Sequence, residues 1–323
     1  MPELPDLTVY LDALRARTLG AALRKVRIVS PSLLRTVDPS PFAFEGRAVR
    51  GHRLVGKRLV FAFDDDLFLA LHLMVAGRLR WEAPDAKPPA KIGLAAFAFD
   101  AGALVLVEAS TKKRAALHCL RGEDALRDLD AGGVDPLHCD DDAFAAALRR
   151  ENRTLKRALT DPHVVAGVGN AYSDEILHRA RCSPFRRTRE IDDAECARLA
   201  HTTRAVLTEW IARLRAETGD GFPTKVTAFR KEMAVHGKYG APCPACGTKI
   251  ARVAYAENEA NYCPTCQTGG RLLADRGLSR LLKGDWPKTP EELEERIRTA
   301  RAAAPPEKAA PPPPRRTARR KGP

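Results

Sequence analysis

Cys243, Cys246, Cys263 and Cys266 constrain this chain more than any other feature. They read Cys-Pro-Ala-Cys, then sixteen residues, then Cys-Pro-Thr-Cys, the spacing of a four-thiolate zinc site. Each Cys-x-x-Cys turn aims two sulfurs at one centre, and the intervening stretch can fold as a hairpin that joins the pairs. Four thiolates close a tetrahedron, so one structural Zn²⁺ is expected, with no open position for catalysis. Two disulfides or a redox pair are the alternatives. Residues 1–20 lack the charged-then-apolar pattern of a signal peptide, which disfavours disulfides, and a redox pair needs no second copy at this spacing. Cys119, Cys139, Cys182 and Cys196 have no ligand spacing and read as packed or surface thiols.

At 323 residues the chain has room for two domains and a tail. No apolar run approaches a membrane span, so a cytoplasmic protein with no membrane partner is expected. The formal net charge is +13, of which residues 301–323 supply +6 from seven Lys/Arg against Glu307. That segment is rich in Pro and Ala, cannot build a core, and reads as a disordered basic arm. The remaining charge keeps the body basic, which favours a polyanion partner through counterion release without specifying a sequence.

Apolar spacing at Leu7, Leu11 and Leu14 predicts an early helix ending near Gly20. Segments 22–29, 47–54, 58–63, 67–73, 77–81, 94–99 and 103–108 are short, rich in Val, Leu and Phe, and separated by Gly, Asp or Pro. That rhythm predicts an antiparallel sandwich or barrel. Gly132 to Pro136 reads as a boundary, followed by helical stretches at 141–159, 171–180, 192–217 and 224–233 and weaker ones within 270–300. The expected architecture is α+β and multi-domain. Residues 1–135 form a β-sandwich with a flanking helix, 136–235 a helical domain, 236–270 the zinc hairpin, 271–300 a helical extension and 301–323 the basic tail.

The chain begins Met1-Pro2-Glu3-Leu4-Pro5-Asp6. Removal of Met1 would leave Pro2 with a free secondary amine, and an α-amino group titrates near ~8, well below lysine. Its neutral form can attack a sugar aldehyde carbon, and Glu3 beside it can deliver a proton to the ring oxygen. On these residues alone, a proline starting a helix at its first turn is the better account of Pro2. Further along, Gly167-Val168-Gly169-Asn170 reads as a turn between two helices. Glycines let backbone approach a phosphate, free N–H groups at the helix start favour an anion, and Asn170 can cap that helix.

Five motifs occur in one order: Pro2-Glu-Leu-Pro-Asp6, Val55-Gly-Lys-Arg58, His72-Leu-Met-Val-Ala-Gly77, Val164 to Asn170, and the cysteine hairpin. Together they resemble the formamidopyrimidine-DNA glycosylase / endonuclease VIII family over residues 2 to about 268. The resemblance implies a bifunctional base-excision repair enzyme acting as a monomer on damaged double-stranded DNA. It would flip an oxidised base from the duplex, cut the glycosidic bond and nick the abasic strand. By position, Pro2 is implied as the Schiff-base nucleophile at C1′, Glu3 as the general acid, and Lys57 as a phosphate contact and proton donor in β-elimination. The helical domain is implied as a helix–two-turn–helix clamp in which Gly169 and Asn170 meet phosphate and Lys156 approaches the DNA backbone.

Departures from the pattern mark where substrate preference should differ. Met74 and Val75 occupy the gap-filling region, with the methionine displaced by one position. Arg114 is followed by Ala115, which offers no aromatic wedge, and Ile92 stands where a histidine is usual. In the hairpin, Asn258 replaces an arginine expected to reach the phosphates, losing a charge-assisted fork. Retained β-elimination with weakened δ-elimination is expected. A non-enzymatic abasic-site binder is the competing reading, but it has no need of a proline amine beside a carboxyl. A generic zinc-ribbon binder leaves the N-terminus and residues 164–170 unexplained.

Overall fold

The structure, a computed structural model, describes residues 1–226, 229–254, 259–274 and 287–303. Asn258 and residues 304–323 of the basic arm lie outside the described residues. The N-terminal half is a sandwich of two four-stranded antiparallel sheets flanked by helix α1 (Leu4–Thr18). Strands β1 (Lys25–Ile28), β6 (Gly93–Phe99), β7 (Gly102–Glu108) and β5 (Gly77–Glu82) form one sheet in that order. Strands β2 (Val49–Val55), β3 (Arg58–Phe63), β4 (Leu67–His72) and β8 (Ala116–Arg121) form the other.

Strand periodicity decides which side chains face inward. On β3, Leu59, Phe61 and Phe63 enter the main core, where they meet Leu104 and Leu106 of β7 and Leu7, Tyr10 and Leu14 of α1. The alternate residue Val60 faces outward with Phe68 and Ala70, and helix α2 (Glu123–Arg127) covers that side with Leu126. Ile92 packs against Val105 and Val107 on the outer face of the other sheet. The seven expected strands are present. An eighth strand, β8, was not expected: its apolar residues form a short run broken by His118, although in the fold it alternates, with Leu117 and Cys119 inward and Leu120 outward.

The helical domain contains α3 (Asp141–Arg149), α4 (Leu155–Thr160), α5 (Asn170–Arg179) and α6 (Asp193–Thr218). The expected continuous helix over 141–159 is broken, since the backbone around Thr154 is committed elsewhere. Arg153 O accepts from Thr188 N at 2.8 Å, and Leu155 N donates to Arg186 O at 2.8 Å. Helix α6 starts with a reciprocal cap between Asp192 and Glu195 and stops at Gly219, whose φ is +53°. The helix expected over 224–233 is absent among the described residues of that span. There the Arg230 guanidinium reaches back to Lys225 O at 2.8 Å, and Pro223 precedes the segment.

Strands β9 (Ala251–Ala254) and β10 (Glu259–Tyr262) form the hairpin between the cysteine pairs, followed by the short helix α7 (Pro264–Thr268). Helix α8 (Pro290–Ala303) extends three residues into the segment expected to be an unstructured arm. The extension docks on the hairpin. Leu273 N donates to the Tyr262 hydroxyl at 2.7 Å, and Lys249 pairs with Glu294 at 2.7 Å. Among the described residues, no helix is long and apolar enough to cross a membrane.

The two halves are sewn together by the first residues of the chain. Leu4 belongs to the helical core and donates its N–H to Gly167 O at 2.9 Å, whereas Leu7 onward belongs to the sandwich core. Pro2 and Glu3 therefore sit where the two domains meet.

Candidate active site and zinc centre

Glu3 is 3% exposed, and its carboxylate closes the start of α5 from 166 residues away. Oε2 accepts from Gly169 N at 2.7 Å and Tyr172 N at 3.2 Å, and Oε1 accepts from Ala171 N at 2.9 Å. The first N–H groups of a helix have no partner within it, so a carboxylate there satisfies them and meets the positive end of the dipole. This corrects the expectation for Asn170. The helix begins at Asn170 itself, Gly169 takes the cap position, and the capping acceptor is Glu3 rather than the asparagine side chain.

Gly169 is required by that approach. A Cβ on it would lie 2.5 Å from Glu3 Cδ, 2.6 Å from Oε1 and 2.8 Å from Lys57 Nζ. Gly167 has φ +77°, and a Cβ there would lie 2.8 Å from Leu4 Cβ. The Gly-x-Gly spacing thus admits Leu4 and Glu3 in succession. Lys57, on the turn from β2 to β3, brings its ammonium to the same point. Burial pulls its pKa below the ordinary lysine value, and the charge of Glu3 opposes that shift. The α-amino group, carried here by Met1, is also pushed down by burial. Glu3 and Asp6 oppose this, while Arg78 and Lys57 reinforce it.

Asp6 extends the cluster. Its Oδ2 accepts from Glu3 N at 3.1 Å, and its Oδ1 lies 3.4 Å from Arg230. Burial raises its pKa to about 6, partly offset by the Glu3 N–H and by Arg230. Arg230 also pairs with Glu217 at 3.0 Å. Both line a cavity of about 400 Å³ together with Asp6, Val9, Phe222 and Thr224. Among the described residues the Tyr172 hydroxyl is buried without a hydrogen-bond partner, and burial pushes its pKa well up. Arg230 and Tyr172 were not singled out from the sequence. No spacing rule links either to residue 3.

Other expected site residues lie around this centre. Met74 is half-buried and held at φ +52°, a left-handed conformation uncommon for a side chain this size. Its N–H donates to His72 Nδ1 at 3.2 Å, and Val75 beside it is 56% exposed. Burial pushes the His72 pKa down to about 4, helped by Arg58, Lys57 and His118. Arg114 is exposed on a loop held by the buried Glu108, whose Oε2 accepts from Arg114 N at 2.9 Å and Ala115 N at 3.1 Å. Ala115 itself belongs to the sandwich core. Lys156, expected at the DNA backbone, is 8% exposed, and its ammonium is held by Asn170 O and Asp174 Oδ1, both at 2.6 Å.

Asp174 also receives His236 Nδ1 at 2.8 Å and Asn261 Nδ2 at 3.3 Å. Glu175 accepts from Ala234 N, Val235 N and His236 N. Helix α5 thus receives Glu3 at its first turn and grips the hairpin through the side chains that follow.

The sulfurs of Cys243, Cys246, Cys263 and Cys266 lie within 4.8 Å of one another. Cys246 and Cys263 are 3.4 Å apart, and Cys243 and Cys266 are 3.9 Å apart. Zinc–sulfur bonds of about 2.3 Å in a tetrahedron require sulfurs roughly 3.8 Å apart, so the four residues fit one zinc ion. Zinc there crosslinks the two turns of the hairpin. Of the other cysteines, Cys119, Cys182 and Cys196 are buried and Cys139 is half-buried, as their lack of ligand spacing implied.

Three family models match in order: the formamidopyrimidine-DNA glycosylase N-terminal domain over residues 1–115, its H2TH domain over 133–219, and the zinc finger found in FPG and IleRS over 240–269. An uncharacterized formamidopyrimidine-DNA glycosylase-like protein of Mycobacterium tuberculosis is 41% identical over 151 residues, covering 47% of this chain and 94% of that protein. The formamidopyrimidine-DNA glycosylase of Thermus thermophilus is 34% identical over 285 residues, covering 84% of this chain and 100% of that protein. Among solved structures, a glycine-to-proline mutant of the Lactococcus lactis protein, bound to DNA containing Fapy-dG, superposes with a TM-score of 0.73 at 26% identity. That match covers 83% of this chain and 100% of the other. With its three domain models in order and relatives of this identity matched over their full length, the chain belongs to the formamidopyrimidine-DNA glycosylase family.

Proposed function

We propose that this protein is a DNA glycosylase and abasic-site lyase that removes oxidised bases from duplex DNA through a Schiff base on Pro2. The observation that carries the reading is the convergence of Glu3 and Lys57 on Gly169, with the chain terminus close enough to feel the charge of both. Once Met1 is removed, the neutral Pro2 nitrogen attacks C1′, and the base leaves with the electrons of the glycosidic bond. Glu3 takes the proton that the Pro2 amine releases on attack and delivers it to the ring oxygen as the sugar opens, leaving an iminium between Pro2 and C1′. Loss of a C2′ proton then expels the 3′ phosphate, with Lys57 serving as proton donor near it. Burial depresses the α-amino pKa of Met1 at this point, and the same surroundings would favour the neutral form of a Pro2 amine once Met1 is removed.

The cavity beside Asp6 is suited to receive an extruded base, and Met74, Val75 and Arg114 are suited to fill the gap left in the duplex. With Asn258 in the hairpin, β-elimination is retained and δ-elimination weakened. We further propose a monomer in the cytoplasm, with residues 1–135 carrying the chemistry and residues 136–270 gripping the DNA.

Borohydride trapping tests the reading. Protein incubated with an abasic or 8-oxoguanine duplex and reductant forms a covalent adduct, and Pro2→Gly abolishes it. Absence of an adduct on every lesion removes the lyase assignment and leaves the abasic-site binder. Clean conversion of an abasic duplex to the phosphate-ended δ product contradicts the weakened second step.

A further inference from the structure

We infer that His178 is a positioning residue of the zinc centre, donating its Nε2–H to the Cys243 thiolate from helix α5. The two atoms lie 3.3 Å apart, with His178 9% and Cys243 3% exposed. A zinc-bound thiolate can only accept a hydrogen bond, so the ring nitrogen facing it must carry the proton. That fixes the Nε2–H tautomer.

The need for a donor follows from burial. Four thiolates around one zinc leave a net negative cluster, and a buried sulfur that water cannot reach needs a protein donor. Cys246 is exposed and can be solvated, whereas Cys263 is fully buried and receives Cys266 N at 3.5 Å. Cys243 is the other buried ligand, and His178 supplies its side-chain donor. The imidazole is well placed to hold that geometry, because the same helix fixes the neighbouring backbone through Glu175 and Asn261 through Asp174.

The test needs no DNA substrate, so it stands apart from the glycosylase reading. Zinc release from the full chain to an excess of chelator is followed with a metallochromic indicator. His178→Phe, which fills the space without a donor, should release zinc about 10- to 100-fold faster, the range for losing such a partner of a metal ligand. His178→Gln keeps an N–H donor and should recover most of the difference. In cobalt-substituted protein, the thiolate-to-metal charge-transfer band should shift in His178→Phe and return towards wild type in His178→Gln. Glu175→Gln loosens the same junction without touching a sulfur and should leave the band in place. Equal release rates for wild type and His178→Phe overturn the proposal, as does a band shift of similar size in Glu175→Gln. If His178→Phe does not fold, imidazole ¹⁵N spectra of the wild-type zinc protein decide the matter, since protonation at Nδ1 instead of Nε2 rules out the bond.

Discussion

Glu3 and Glu175 are the same side chain in nearly the same bonding situation, one at the start of α5 and one within it. Glu3 is 3% exposed and takes three backbone N–H bonds from residues 169–172, while Glu175 is 7% exposed and takes three from residues 234–236. Each ties together segments distant in sequence, and what separates them is company. Glu3 shares its place with the chain terminus, Lys57, Asp6 and the margin of a cavity, whereas Glu175 faces backbone leading into the zinc hairpin. A fully bonded carboxylate is therefore a means of positioning chain, and it becomes a candidate for chemistry only where a nucleophile and space for substrate lie next to it.

The comparison breaks most sharply on a matched pair of substitutions. Glu3→Gln and Glu175→Gln each set an amide nitrogen against backbone N–H groups, and each should cost about 1–3 kcal/mol of stability in denaturant titrations. Single-turnover glycosylase rates well below the melting temperature should separate them. Glu3→Gln should lose a factor on the order of 10²–10⁴, the range for removing a general acid, while Glu175→Gln stays within a few-fold of wild type. Equal rate losses would show that the bonding, and not the surroundings, gives Glu3 its importance.

Gly169→Ala pushes on the Glu3 side of the comparison without altering any titrating group. Its Cβ would press into the Glu3 carboxyl and the Lys57 ammonium, so about 1–3 kcal/mol of stability should be lost to overpacking. The trapping yield should fall with it, because both groups must move. An unchanged yield at full folding would mean that their positions are not critical.

The remaining effect concerns pH. Burial raises Asp6 from 3.8 to about 6, so between these values the folded state binds more protons than the unfolded state. Its contribution to stability is therefore largest below the unfolded pKa and declines as pH rises towards about 6. Asp6→Asn keeps an acceptor for the Glu3 N–H and removes the decline. Relative to the variant, wild type should lose on the order of 2–3 kcal/mol across that window, read from urea midpoints at successive pH values.

Several elements were legible because their signal is local. The Cys-x-x-Cys pairs fix a metal site by spacing, the strands from Lys25 to Glu108 announce themselves by short apolar runs, and Asp192 with Glu195 marks the start of α6. The helix expected at 224–233 failed because apolar spacing there is weak evidence, and Arg230 is drawn to Asp6 and Glu217 instead. Asn170 looked like a cap, but a carboxylate from the other end of the chain had already taken the helix N–H groups. Lys156 was expected by resemblance to approach the DNA backbone, and only the fold brings Asp174 against its ammonium.

The sequence alone determined the zinc ligands, the alternation that makes a sandwich, and the presence of a proline next to a glutamate at the chain start. Each depends on residues close enough in the chain for spacing to fix geometry. Tertiary structure decided the strand orders β1-β6-β7-β5 and β2-β3-β4-β8, the union of Glu3 with Gly169, and the reach of His178 to Cys243. The last two contacts join residues 166 and 65 positions apart, at distances where chain spacing no longer limits which groups can meet. There, burial and the need to satisfy every buried polar group select the partners.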